Sequence, residues 1–392
     1  MNANLILLTL CQGLFFTNNV TFIAINGLVG LSLAPLGWMA TLPVMGYVVG
    51  GALSTGLVAK SQSLWGRKVS FQLGLAVALF SALLAAYAAY SHNFWLLVAA
   101  TVIAGYYSAN GQLYRFAAAE LAADRFREKA VSLVLAGGLI GAIVGPNLAS
   151  RTRTLYDTPF LGAYLALAIV ALLAMGCMAC IRFPAAPARK SGESAGRPLA
   201  EIMRQPVFIV AAAAAALSYG VMNLLMAATP LAMQVCGFSF DDAALVLEWH
   251  VIGMFAPGFF TGHLIKKFGT LPIMGVGVAL NFACIALALS GLELQQFLVA
   301  LFLLGVGWNF LFTGSTTLAL QAWTPVEKDR GQAAINFFVF ATMALTSFAS
   351  GALVTTQGWT WLNVGSLVPV ALTACALMWM AVKQKSVPAT NP

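Results

Sequence analysis

Tyrosine and asparagine side chains recur at helical spacing in apolar stretches of this sequence. Tyr107, Asn110 and Tyr114 follow one another at three and four residues, and Tyr219 and Asn223 repeat the four-residue spacing, so each set shares one helix face. Aromatic rings provide flat apolar walls, and neutral amides both donate and accept hydrogen bonds. The combination predicts a site for an uncharged, planar, hydroxylated solute rather than a phosphate, a sugar acid or an ion.

The elements that carry these residues must lie in a membrane. Of 392 residues, 60% are hydrophobic and 8% are charged, against roughly 25% charged in a soluble domain. Because a bilayer core takes about 20 apolar residues per helix, the sequence predicts an all-α polytopic protein with twelve transmembrane helices. The apolar runs place them at 5–31, 37–59, 70–90, 94–118, 130–150, 159–182, 207–233, 243–264, 271–290, 295–320, 332–355 and 360–382.

The basic residues orient these helices. With a cytoplasmic N-terminus, all of the 20 Lys and Arg residues except Arg151 and Arg153 fall on the cytoplasmic side, as the positive-inside rule requires. Both termini are therefore expected in the cytoplasm of a bacterium whose inner membrane holds the protein. The net charge of +8 then reflects topology, and no nucleic-acid partner is expected beside the lipid bilayer.

A long polar connection divides the predicted helices six and six. Residues 1–182 are expected to form an N-terminal six-helix bundle, 183–206 a cytoplasmic linker, and 207–392 a C-terminal six-helix bundle with a short cytoplasmic tail. The halves echo each other about 200 residues apart, with Gly66 and Gly269 in matched turns. Two similar bundles that rock about a central site are what an alternating-access transporter needs.

Charged and reactive residues are few within the predicted helices. Glu248 and His250 begin the eighth helix and could carry a transported proton; the alternative is a position near the interface, where their side chains reach water. The CxxC pair Cys177 and Cys180 has no accompanying His or Cys cluster, so neither a metal nor a cofactor is expected. No HExxH, phosphate-loop or His-Asp-Ser constellation is found, so no enzyme activity is predicted.

The twelve helices with a central loop resemble the major facilitator superfamily over essentially the whole chain. The segment 59–68 keeps the Gly66-Arg67-Lys68 end of the family's loop motif GxLaDrxGRK but has Ser63 where the motif has Asp. In the family that Asp helps to latch the halves, so a weaker or different latch is expected here. The resemblance implies a gating role for Gly66, Arg67 and Lys68; ordinary positive-inside anchoring is the alternative.

The fifth predicted helix carries Gly137, Gly141, Gly145 and Pro146. This pattern resembles the antiporter signature of facilitator drug exporters and implies a gating role for Gly141, Gly145 and Pro146. Tight helix packing explains the same glycines without export. Against a proton-linked drug exporter, Thr101 stands where such exporters have an Arg.

Two further stretches, 104–116 and 307–315, resemble facilitators assigned to bacterial riboflavin uptake. In the superfamily, helices 1, 4, 7 and 10 line the pathway, and their midplane regions here are polar and aromatic. The resemblance therefore implies substrate contacts from residues of all four helices: Asn18, Asn19, Tyr106, Tyr107, Asn110, Tyr114, Tyr219, Asn223, Trp308 and Asn309. Any one of these residues could instead bridge two helices.

Together these features predict a major facilitator transporter that imports riboflavin or a similar neutral heterocycle, with a proton as a possible coupling ion. Riboflavin, a planar ring system with a polyol tail, matches the predicted aromatic and amide site. A multidrug or metabolite exporter of the same superfamily is the alternative. A receptor is disfavoured because no sizeable soluble domain is present to relay a signal.

Overall fold

The computed structural model describes residues 3–36, 39, 42–184 and 196–386. This part of the chain is helical and contains no β-strand. The helices are α1 Ala3–Leu33, α2 Leu42–Tyr90, α3 Phe94–Gly111, α4 Tyr114–Leu121, α5 Arg127–Ala136, α6 Gly138–Thr152, α7 Leu161–Cys180, α8 Leu199–Arg204, α9 Pro206–Val235, α10 Phe240–Phe255, α11 Gly258–Phe268, α12 Thr270–Ser290, α13 Leu294–Ala319, α14 Lys328–Thr356 and α15 Gly358–Ser386.

Twelve membrane crossings follow from these helices. The long α2 contains two of them, because its backbone leaves the helical conformation at Gly66. Three other crossings are interrupted: α3 continues into α4, α5 into α6, and α10 into α11. The six-residue α8 is too short to cross. Eight helical segments of the described chain are individually long and apolar enough to span a membrane.

Two of the interruptions have a residue that explains them. The helix from α10 to α11 breaks at Pro257, because proline lacks the backbone N–H and clashes with the preceding turn. The break between α5 and α6 falls at Gly137, a weak helix former. Between α3 and α4 the turn tightens, and the Leu113 N–H bonds to the carbonyl of Asn110 three residues earlier. The sequence predicted the three crossings but none of their breaks.

The chain divides into two compact units. Unit 1 comprises residues 1–193 with 332–344, and unit 2 comprises 194–331 with 345–392. The predicted boundary between two six-helix bundles stays a prediction. Part of the predicted linker, 185–195, lies outside the described residues.

Each unit brings helices together through paired glycines at matched positions. In unit 1, a Cβ added at Gly105 would lie 2.3 Å from the backbone of Gly50. In unit 2, a Cβ added at Gly305 would lie 2.4 Å from the His250 carbonyl and 3.0 Å from the backbone of Gly253. These distances leave no room for a Cβ atom. Helix α2 therefore approaches α3, and α10 approaches α13, as closely as they do only because Gly105 and Gly305 lack side chains.

The turns between the second and third crossings of each half also share one conformation. Gly66 has φ +75° and ψ 174°, and Gly269 has φ +91° and ψ 161°. This region of backbone space is essentially restricted to glycine. The two glycines that occupy matched positions in the sequence therefore also share a backbone conformation.

Candidate functional site

The predicted residues of α1 lie in the interior of unit 1. Asn18 and Asn19 are both buried, and the side-chain oxygen of Asn19 has no hydrogen-bond partner in the described part of the chain. Gln12, seven residues earlier, is also buried and its side-chain oxygen is likewise unpartnered. The sequence-based prediction missed Gln12, although a spacing of seven residues returns to the same helix face.

Tyr106 and Asn110 lie on α3 with their polar groups bonded inside unit 1. The Tyr106 hydroxyl, half-buried, donates to the Ser61 hydroxyl at 3.2 Å. Asn110 donates to the Tyr106 carbonyl at 3.3 Å and accepts a hydrogen bond from the Ser70 hydroxyl at 3.2 Å. Asn110 therefore links α3 to α2 in this structure.

Tyr107 and Tyr114 belong to an aromatic core in unit 1. The Phe15 ring of α1 meets the edge of Tyr107 at 5.3 Å and of Tyr114 at 6.0 Å between ring centres. Phe71 packs against Tyr114 at 4.9 Å. Gly111 makes room for this core, because a Cβ there would lie 2.2 Å from the Phe15 ring. The Tyr114 hydroxyl has no partner among the described residues.

A second aromatic cluster lies in unit 2 around Trp308. Its ring stacks on Phe312 at 4.8 Å and meets Tyr219 and Phe255 edge-on at 5.5 and 5.9 Å. All four side chains are buried. The indole N–H of Trp308 has no acceptor in the described chain, although a buried indole N–H normally finds one.

Asn223 and Asn309 join helices of unit 2. The Asn223 amide donates to the hydroxyls of Thr346 and Ser347 on α14 at 3.1 and 2.9 Å. Asn309 on α13 donates to the Met254 carbonyl at 2.6 Å and accepts from the Thr261 hydroxyl at 2.7 Å. Met254 and Thr261 flank the break at Pro257, so Asn309 bonds to both sides of the interrupted helix.

The two predicted proton-coupling residues lie in different environments. Glu248 is exposed, whereas His250 is fully buried in unit 2. One ring nitrogen of His250, Nδ1, lies 2.7 Å from the Leu301 carbonyl, and the other has no partner in the described chain. The structure does not bring the two side chains together, and their role in proton coupling stays a prediction.

Comparison with known proteins identifies the family. A sequence model of the Major Facilitator Superfamily matches residues 5–258 and 212–392. The chain belongs to the major facilitator superfamily. It is 39% identical over 364 residues to the riboflavin transporter RfnT of Brucella anthropi, covering 92% of this chain and 91% of that protein.

Solved structures show the same fold. The outward conformation of the major facilitator FucP superposes with a TM-score of 0.77 at 15% identity, covering 96% of this chain and 97% of that one. The human organic anion transporter MFSD10 gives 0.77 at 13% identity, covering 95% and 98%. The family match and the apolar helices together show that the chain is a multi-pass membrane transporter.

The loop motif of this facilitator centres on a buried arginine. Arg67 forms an ion pair with Glu120 at 2.6 Å, donates to the Gln332 side chain at 2.7 Å, and also donates to Gln62. Ser63, at the position of the family's Asp, is exposed and donates to the carbonyl of Lys60. The charged contacts of this turn thus involve Arg67, a predicted gating residue, and not residue 63.

Two more basic residues of unit 1 bond to helices. Lys68, a predicted gating residue, donates to the carbonyl of Ala179 at the end of α7 at 2.6 Å, which suits the negative end of a helix dipole. Arg115 is buried and donates to the Asn336 side chain at 3.1 Å. Asn336 lies four residues after Gln332, so Arg67 and Arg115 bond to one face of α14.

The glycines of the fifth crossing pack against α1. A Cβ at Gly137 would lie 2.4 Å from the Thr9 carbonyl, and one at Gly141 would lie 2.4 Å from Phe16. At Gly145 the nearest atom, on Val20, is 3.2 Å away. Pro146 lies within α6. Close helix packing therefore accounts for the stripe, and the gating roles of Gly141, Gly145 and Pro146 stay predictions.

An ion pair links Arg197, just after residues 185–195, to Glu327 in the loop before α14. Arg197 donates through Nη2 and Nε to the Glu327 carboxylate at 2.7 and 2.9 Å, and the Thr324 N–H donates to the same group at 2.9 Å. These hydrogen bonds hold the pKa of the Glu327 carboxyl well below its usual range, since they favour its charged form.

Proposed function

We propose that this transporter imports riboflavin, or a similar uncharged heterocycle, across a bacterial inner membrane by alternating access with both termini in the cytoplasm. The observation that carries the proposal is the 39% identity to a protein named as a riboflavin transporter, which extends over 92% of the chain.

The chemistry of the residues supports a neutral substrate. Every predicted contact is an amide, a phenol or an indole, and none carries a charge at neutral pH. The predicted contact residues thus offer hydrogen bonds and aromatic faces, which a flavin ring and its polyol chain can use, and none of them adds a fixed charge that would favour an ion.

We assign three roles within the predicted set. Asn18, Asn19, Tyr106, Tyr219 and Trp308 are proposed to contact substrate. Two of them, Asn19 and Trp308, have a buried polar atom without a hydrogen-bond partner in the described part of the chain. Asn110, Asn223 and Asn309 are proposed to hold helices in place, since their amides already bond to neighbouring helices. Tyr107 and Tyr114 are proposed to support the site from the aromatic core.

Export is the competing direction of transport, and the glycines of the fifth crossing do not favour it. Their contacts with α1 are explained by packing. The same alternating-access cycle runs either way according to the gradients and to the affinities of its states. Direction therefore has to be measured.

A riboflavin auxotroph that expresses the chain provides the test. We expect growth on low external riboflavin and faster accumulation of labelled riboflavin than in cells with an empty vector. A variant with Trp308 replaced by Ala should lose most of this uptake at unchanged membrane expression. Absence of growth and uptake despite verified expression would refute import of riboflavin, and lowered accumulation with raised drug resistance would indicate export.

A further inference from the structure

One face of α1 carries two buried amides whose oxygens are unused. Gln12 is 3% exposed and Asn19 is 8% exposed. Neither the Gln12 nor the Asn19 side-chain oxygen has a hydrogen-bond donor in the described part of the chain. Seven residues separate them, so they share a face and lie about 10 Å apart along the helix axis.

A third amide on this face of α1 has both of its side-chain polar atoms hydrogen-bonded. Asn26, a further seven residues along α1, donates to the Phe22 carbonyl at 2.7 Å and accepts from the Tyr164 hydroxyl at 2.8 Å. Gln12 and Asn19 thus differ from Asn26, which lies on the same face of α1, in having a side-chain oxygen without a donor in the described part of the chain.

Buried acceptors without donors destabilise a folded protein. In a membrane-embedded unit the penalty cannot be avoided by exposure to bulk water. A ligand that supplies the missing donors removes this penalty, and a polar site discriminates strongly against ligands that leave its groups unpaired. Two acceptors on one face, separated by about 10 Å, fit an elongated ligand with a donor toward each end.

We propose that Gln12 and Asn19 determine specificity by accepting hydrogen bonds from two separated donors of the substrate. A flavin with a polyol chain has such donors in the imide N–H of its ring and in the hydroxyls of the chain. One amide then recognises the ring and the other recognises the chain. This assignment rests on the proposed function and adds Gln12, which no sequence motif indicated.

Binding to the purified full-length transporter tests the assignment with three ligands, followed by flavin fluorescence. Riboflavin has both donors, lumiflavin lacks the polyol, and 3-methylriboflavin lacks the imide N–H. The variants are Gln12→Met and Asn19→Leu, which keep side-chain size but remove the amide. The control is Asn147→Leu on α6, because the Asn147 side chain is exposed and its amide donates to the Ile143 carbonyl of its own helix.

We expect each variant to weaken riboflavin binding about tenfold, the loss of one hydrogen bond to a buried acceptor. The variant that has lost the contact to the polyol chain should bind lumiflavin as the unchanged protein does. The variant that has lost the contact to the ring imide should bind 3-methylriboflavin as the unchanged protein does. The control should bind all three ligands normally. This crossed pattern pairs each amide with one donor.

Equal losses for all three ligands, or no loss for riboflavin, would overturn the assignment. If the apolar variants do not fold, Gln12→Ser and Asn19→Ser retain a smaller acceptor and should show the same pairing of variants with ligands to a smaller degree. Equal losses for all three ligands in the serine variants would also overturn the assignment. If the unchanged transporter binds none of the flavins, the proposed function itself fails. That result differs from normal riboflavin binding by all variants, which refutes only the role of the two amides.

Discussion

Asparagine side chains in this transporter differ in where their hydrogen bonds go. Asn309 bonds to Met254 and Thr261 on either side of the Pro257 break, whereas Asn19 leaves its oxygen unpaired. A proline removes one backbone hydrogen bond from its helix, and an amide from a neighbouring helix can occupy an exposed carbonyl. The same residue type therefore stabilises the fold at one position and remains available to a ligand at another.

Replacement of Asn309 by Leu tests this distinction. The variant leaves the Met254 carbonyl without its amide donor, whereas the Thr261 hydroxyl keeps its bond to the Pro257 carbonyl. The loss should cost about 1–3 kcal/mol of stability. Thermal unfolding of the purified protein should therefore occur at lower temperature, while the riboflavin KM of the remaining folded protein stays unchanged. A raised KM with normal thermal stability would instead make Asn309 a substrate contact.

The sequence predicted which residues are polar and aromatic on each helix, because helical spacing fixes the faces. It could not predict their partners. Asn309 and Thr261 are 48 residues apart, and only the packing of α13 against α11 brings them together. Gln12 was missed for the same reason. Its side-chain oxygen has no hydrogen-bond donor in the described part of the chain, and a local sequence pattern cannot show this.

At the scale of helices, small residues determine which elements approach closely. Gly50 with Gly105, and Gly253 with Gly305, allow backbone contact between crossings in each unit. The fifth crossing uses Gly137 and Gly141 in the same way against α1. Apolar runs located these helices but not their breaks. Pro257 and Gly137 mark two of the breaks in the sequence, whereas the tightened turn at Leu113 has no proline or glycine at that position.

Alanine substitutions at two glycines of unit 1 should have opposite effects. At Gly105 the new methyl would lie 2.3 Å from the Gly50 backbone, so α2 and α3 must separate, at a cost of about 1–3 kcal/mol. At Gly176 on α7 nothing lies within 4 Å, and alanine should be neutral or stabilising by about 0.5–1 kcal/mol. Thermal stability in detergent measures both.

Equal stability of the two variants would contradict the contact at Gly105. Transport provides a second comparison. The Gly176→Ala protein should retain full uptake per molecule at the membrane. The Gly105→Ala protein should lose uptake in proportion to its loss of folded protein.

Across the whole molecule, the two halves of the sequence repeat local geometry. Gly66 and Gly269 both have positive φ values in the turns between second and third crossings, and the glycine pairs recur about 200 residues apart. The charge environment of these turns differs, because Arg67 is buried in a network with Glu120 and the Gly269 turn follows Lys266 and Lys267. The repeat thus preserves backbone shape more closely than side-chain chemistry.

The distribution of charge over the whole chain predicts its orientation. Of 20 basic residues, only Arg151 and Arg153, at the end of α6, fall on the predicted outer side. A green fluorescent protein joined after α15 should fluoresce, since it folds in the cytoplasm. Alkaline phosphatase joined after Arg153 should be active, because it requires export. Moving the phosphatase to the turn after Arg125 should abolish its activity, since one crossing fewer precedes it. Phosphatase activity at that turn but not after Arg153 would show the opposite orientation.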